Sequence, residues 1–190
     1  MSEQTQSTAT DSLIAEFRPG KITVWMWLIL TIPLFVIAVG LYLAAATHGA
    51  NHAEGSISIV GLLAVVVLSV AMVCIHEGVH GVVMITFGGH PRFGVLMTGG
   101  LPMGFYATTP GHRYTRPQYL LVCLAPLAIL SPLGLALCWL SFGGYLVIPF
   151  AIQLAGCIGD VTIAWHVMRA PRGALCEDMR DGTRFWKAGA

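Results

Sequence analysis

Four apolar runs, Ile22–Ala46, Ile57–Phe87, Gln118–Ser141 and Tyr145–Met168, divide this chain, with polar stretches between them. A hydrocarbon core of about 30 Å takes about 20 helical residues to cross, and each run is long enough. The pattern therefore predicts four membrane helices. The second run exceeds what a span requires, so its end is expected to emerge from the bilayer. Between the second and third runs, Arg92–Thr98 and Leu101–Ala107 look extended and are joined by Gly99-Gly100, a two-residue hairpin signal. Pro102 would confine the second strand to an edge. The expected fold is thus all-α, with four transmembrane helices and a small β-hairpin between helices 2 and 3. Residues 1–21 and 169–190 read as polar tails around a membrane domain at 22–168. Met1–Thr10, rich in Ser, Thr and Gln, reads as disordered. It lacks the basic start of a secretory signal, and the first run is too long for one.

Composition agrees with a bilayer. Of 190 residues, 56% are apolar and only 10% charged, too few to cover a soluble surface. The net charge of +1 argues against a nucleic-acid partner. Five scattered cysteines form no Cys-x-x-Cys pair and read as small buried hydrophobes. All ten Lys and Arg fall on one side of a four-helix arrangement: before the first helix, in the second loop, or after the fourth helix. The positive-inside rule then places both termini and the Arg92–Arg116 loop in the cytoplasm.

Inside the second apolar run stands His76-Glu77-Gly78-Val79-His80. Ionisable groups at membrane depth are costly and usually functional. Residues four apart share a helix face, so His76 and His80 can reach one cation, while Glu77 on the adjoining flank can take a proton from the attacking water. A catalytic zinc normally takes three protein ligands. Among nine acidic residues only Glu77 and Asp160 lie within membrane runs. Asp160 and His80 each lie about eight residues from the cytoplasmic end of their helix, a depth of roughly 12 Å. Gly78, Gly81, Gly156 and Gly159 would let the two backbones approach closely. Asp160 is therefore the expected third ligand. Thr86 occupies the position where the long soluble motif has a third histidine, and Glu177 reads as part of a solvated charged stretch. His90, His112 and His166 are open in principle as ligands but read as loop or interface histidines. Ser69 and Gln153, each about two turns before a ligand, could orient it. Pro126 and Pro132 free backbone carbonyls in the third helix, beside the cavity or as plain packing features. Tyr106, His112 and Arg113 are loop candidates for stabilising an oxyanion.

This arrangement resembles the site-2 protease group of intramembrane metalloproteases. It is more similar still to a family of small bacterial membrane proteins described as putative zincin peptidases. The resemblance rests on His76-Glu77-Gly78-Val79-His80-Gly81, the proline-bearing third helix, Gly159-Asp160 and Leu175-Cys176-Glu177-Asp178. It implies a Zn2+ cofactor held by His76, His80 and Asp160, Glu77 as general base, and a membrane-protein substrate. It departs from the site-2 protease pattern in that Gly precedes Asp160 and Val161 follows it, and the chain's one Asn, Asn51, lies far from the site. The expected function is a zinc-dependent intramembrane endopeptidase of the bacterial inner membrane, multi-pass, with both termini cytoplasmic. A metal transporter or sensor is the alternative, and a haem protein is disfavoured because histidines four apart suit one small ion.

Overall fold

The computed structural model describes residues 12–49, 58–98 and 101–187. Met1–Thr10, most of the Thr47–Ser56 loop and the Gly99-Gly100 turn lie outside the described residues. The first three runs form α1 (Lys21–His48), α2 (Ile59–Thr86) and α3 (Arg116–Cys138), close to the apolar stretches that foretold them. Together with the segment Gly143–Arg169 they make four helical segments long and apolar enough to cross a membrane. Their large apolar side chains, such as Ile22, Ile59, Leu121 and Trp165, face outward.

The fourth run is not one helix. A 3-10 turn at Gly143–Leu146 leads into α4 (Val147–Gly156), and α5 (Ile158–Arg169) follows after a break at Cys157. Cys157 has ψ near −4°, and its N–H is shared between the Gln153 and Leu154 carbonyls at 3.3 Å. The break sits between Gly156 and Gly159, and glycine holds a helix about 1 kcal/mol less well than alanine. It places Asp160 in the first turn of α5.

Strands β2 (Arg92–Thr98) and β3 (Leu101–Thr108) pair antiparallel, with Phe93 opposite Ala107 and Gly94 opposite Tyr106, as the hairpin pattern predicts. Gly88 makes the approach to β2 possible. Its φ of +81° closes α2 with the Gly88 and Gly89 amides donating to the Ile85 and Met84 carbonyls, both at 2.9 Å. α3 is opened by a capping box between Thr115 and Gln118.

The all-α expectation needs correction. β1 (Ser12–Phe17), β4 (Arg113–Thr115), β5 (Ala174–Met179) and β6 (Gly182–Lys187) form an antiparallel sheet in the order β1-β6-β5-β4. Segments read as polar tails therefore pair with each other and with the loop before α3. Nor is Glu177 on a solvated face: it is buried, with its Oε1 accepting from the Gly111 amide at 2.9 Å and its Oε2 from Trp186 Nε1 at 2.8 Å. A carboxylate so provided with donors can be buried in a strand, which is what hid β5 among its charges.

Two apolar clusters hold the molecule. One joins the sheet to the helices through Tyr114, Tyr119, Val122, Val167 and Phe185. The other packs Ala38, Tyr42, Leu130 and Phe150 between α1, α3 and α4. Along α2, Met72, His76, His80 and Met84 recur every four residues as one buried stripe. Met84 belongs to the first cluster and Met72 to the second, so both histidines occupy the seam between two apolar cores.

Candidate metal centre

At that seam Asp160 of α5 meets α2. Its Oδ2 lies 3.2 Å from His76 Nε2 and its Oδ1 lies 3.4 Å from His80 Nε2. The two histidine rings meet edge-on with centroids 5.0 Å apart. One ligand atom from each of the three residues lies within 4.8 Å of the others. Tetrahedral zinc holds N and O ligands at about 2.0–2.1 Å, which sets neighbouring ligand atoms about 3.3 Å apart. The two nitrogen–oxygen separations, one to each carboxylate oxygen, are of that size. Asp160 Oδ2 is buried and, although 3.2 Å from His76 Nε2, makes no well-aligned hydrogen bond, and a cation between the two would satisfy both. Burial, donor chemistry and spacing all fit zinc.

The tautomer of His80 follows from its other nitrogen. Nδ1 lies 2.8 Å from the Val122 carbonyl on α3, which can only accept. Nδ1 therefore carries a proton, which leaves Nε2, turned towards Asp160, as the nitrogen that can bind an ion. Glu77 is on the neighbouring flank, close to the backbone of Ala107 on β3. With His80, Asp160 and Tyr119 it lines a cavity of about 450 Å³ that runs to the β5–β6 turn at Arg180 and Asp181. Tyr106 lines this cavity and, with Glu77 and Phe105, a second one that Phe93, Gly94 and Val95 of β2 also line.

The remaining sequence candidates are elsewhere. His112 Nε2 lies 3.1 Å from the Phe87 carbonyl, and the Arg113 guanidinium stacks 4.2 Å from the Trp186 ring, which leaves Tyr106 alone of the three oxyanion candidates beside Glu77. His166 stacks on Phe17 at 3.7 Å, and His90 is exposed. Ser69 donates to the Val65 carbonyl of its own helix, and Gln153 donates to the Pro126 carbonyl at 3.1 Å. Neither bonds a metal-binding candidate. Close backbone approach does not explain the glycines either: a Cβ at Gly78, Gly156 or Gly159 would meet nothing within 4 Å, and one at Gly81 would meet the exposed Phe93 ring. All five cysteines are free, four of them buried and Cys74 exposed.

One group that sequence reasoning set aside borders the same cavity. Asp178 of β5 accepts from Tyr119 Oη at 2.5 Å, and Tyr119 Oη also meets Thr183 Oγ1 at 3.1 Å. Thr108 of β3 donates to the Asp178 carbonyl at 3.1 Å, so this residue ties hairpin, sheet and α3 together. Burial pushes its carboxyl up to about 6, with the Tyr119 hydroxyl opposing. Only the alternation of Thr183 and Phe185 hinted at the inward face of this sheet.

Among curated proteins and solved structures none matches the chain. The model of one protein family does match, over residues 69–175, more than half of the 190 residues and inclusive of His76, Glu77, His80 and Asp160. Its description is "putative zincin peptidase", which implies a zinc cofactor and a metallopeptidase activity. The chain belongs to this zincin peptidase family.

Proposed function

We propose that this protein is an intramembrane endopeptidase that uses zinc to cut membrane-protein substrates near the cytoplasmic face of a bacterial inner membrane. The observation that carries the reading is the convergence of His76, His80 and Asp160 beside Glu77, in a cavity between helices apolar enough to lie in a bilayer. His76, His80 and Asp160 hold the ion, and zinc supplies a Lewis acid that acidifies water and polarises a peptide carbonyl. Glu77 accepts the proton of the attacking water and returns it to the leaving amine nitrogen. Orientation rests on the ten basic residues, none of which falls in the Thr47–Ser56 loop or the Phe142–Gly144 turn. Both termini and the Arg92–Arg116 loop are then cytoplasmic, and the centre is about 12 Å inside that face.

Glu77→Gln tests the chemistry. It preserves size but cannot take a proton, so cleavage of a membrane-spanning reporter should fall by about 10²–10⁴-fold with zinc content unchanged. Undiminished cleavage would defeat the mechanism. A wild-type protein that binds zinc without hydrolysing any reporter, and whose Glu77→Gln variant loses zinc uptake into vesicles, would make it a transporter.

A further inference from the structure

Proline has no backbone N–H, so a proline in a helix leaves the carbonyl four residues earlier without its usual donor. In α3, Pro126 is buried and the carbonyl it releases is that of Val122. This is the carbonyl that lies 2.8 Å from His80 Nδ1. Val122 is 2% exposed and His80 8%, so water is not at hand to satisfy either group. One turn further along the same face, the carbonyl of Pro126 itself accepts from Gln153 Nε2 at 3.1 Å. Gln153 is buried on α4, the helix that leads through the Cys157 break to Asp160. Two carbonyls of α3 thus grip the two elements that bring the candidate ligands together.

We propose that Pro126 is a positioning residue of the metal centre: it withholds an N–H from the Val122 carbonyl so that His80 can donate Nδ1–H to it and present Nε2 to the ion. The proposal rests on the zinc reading above only for its consequence, since the hydrogen bond itself needs no metal. Pro132 supplies the internal contrast. It also lies within α3 and by the same count releases the Ala128 carbonyl, but both residues are exposed, away from the buried centre. An Ala at 126 would restore the N–H and let α3 close its own ladder, drawing the Val122 carbonyl back towards the helix axis.

The test compares wild type, Pro126→Ala and Pro132→Ala in two measurements. In protein labelled with ¹⁵N-histidine and ¹³C-carbonyl valine, a coupling across the hydrogen bond reports donation of His80 Nδ1–H to the Val122 carbonyl, whatever the state of Nε2. Wild type and Pro132→Ala should show it, and Pro126→Ala should lose it. Zinc titration should then find Pro126→Ala weaker, towards the lower end of the about 10–100-fold that outer partners of metal ligands contribute, with Pro132→Ala unchanged. An intact coupling in Pro126→Ala, or an equal loss of zinc affinity in both variants, overturns the proposal. If Pro126→Ala fails to fold, the wild-type spectrum decides, because absence of the coupling is incompatible with it. Loss of the coupling in Pro126→Ala of a protein that binds no zinc would sink the metal reading while leaving the role of Pro126 standing.

Discussion

Replacing Asp160 by Ala removes one corner of a three-cornered site, and thermal unfolding can read the loss. A ligand that binds only the folded state stabilises it by RT ln(1 + [L]/Kd), about 2.7 kcal/mol at a hundredfold excess over Kd. For a chain of this size each kcal/mol moves Tm by about 2–4 °C, so zinc added to chelator-treated wild type should raise it by roughly 5–10 °C. The donor separations of 3.2 and 3.4 Å leave His76 and His80 alone once the carboxylate is gone. Two neutral imidazoles keep neither the charge nor the third contact, and the zinc-dependent rise should disappear in Asp160→Ala. The assay is unfolding in detergent with and without zinc, scored as the difference between the two. That difference separates ligation from stability. Glu177→Ala breaks bonds to Gly111 and Trp186 and should lower both melting points equally, leaving the zinc increment intact. Retention of the full increment in Asp160→Ala, or its selective loss in Glu177→Ala or His112→Ala, would refute the assignment.

A Cβ at Gly134 would lie 2.6 Å from Phe150 and 2.9 Å from Tyr42, both essentially unexposed, so Gly134→Ala should destabilise by about 1–3 kcal/mol in chemical unfolding while zinc stoichiometry holds. Asp178 has a folded value of about 6 against 3.8 for the free side chain, so its protonated form favours folding. That contribution is complete below pH about 4 and is lost as pH rises through 6, a slope worth on the order of 3 kcal/mol. Asp178→Asn should flatten this part of the stability–pH curve, and an unchanged curve would count against the burial of the charge. Single cysteines at Ser12, His112 and Lys187 should be labelled from the cytoplasmic side and one at Thr47 from outside; external labelling of His112 would invert the proposed topology.

Part of the centre is written in local sequence. The four-residue spacing of His76 and His80 is a property of any helix, and α2 had to be a helix because a long apolar run offers its backbone no other partners in a bilayer. Asp160 could be matched to them in depth because rise per residue is constant. Asp160 lies 3.2 and 3.4 Å from the two histidines, whereas Gln153 bonds the Pro126 carbonyl and neither of them. Gly78, Gly156 and Gly159 face open space rather than close packing, while Gly81 faces the Phe93 ring and not a backbone.

What the sequence determined alone is what depends on local periodicity: the apolar spans, the histidine pair, the hairpin strands and the basic residues that argue for orientation. Tertiary structure decided everything that depends on partners distant in the chain. β5 carries Glu177 and Asp178 inward because Trp186, Gly111 and Tyr119 are there to receive them. The released carbonyl of Val122 could be foreseen from Pro126, but its recipient, His80, lies 42 residues away. A freed acceptor is a local fact, whereas the donor that fills it is chosen by packing.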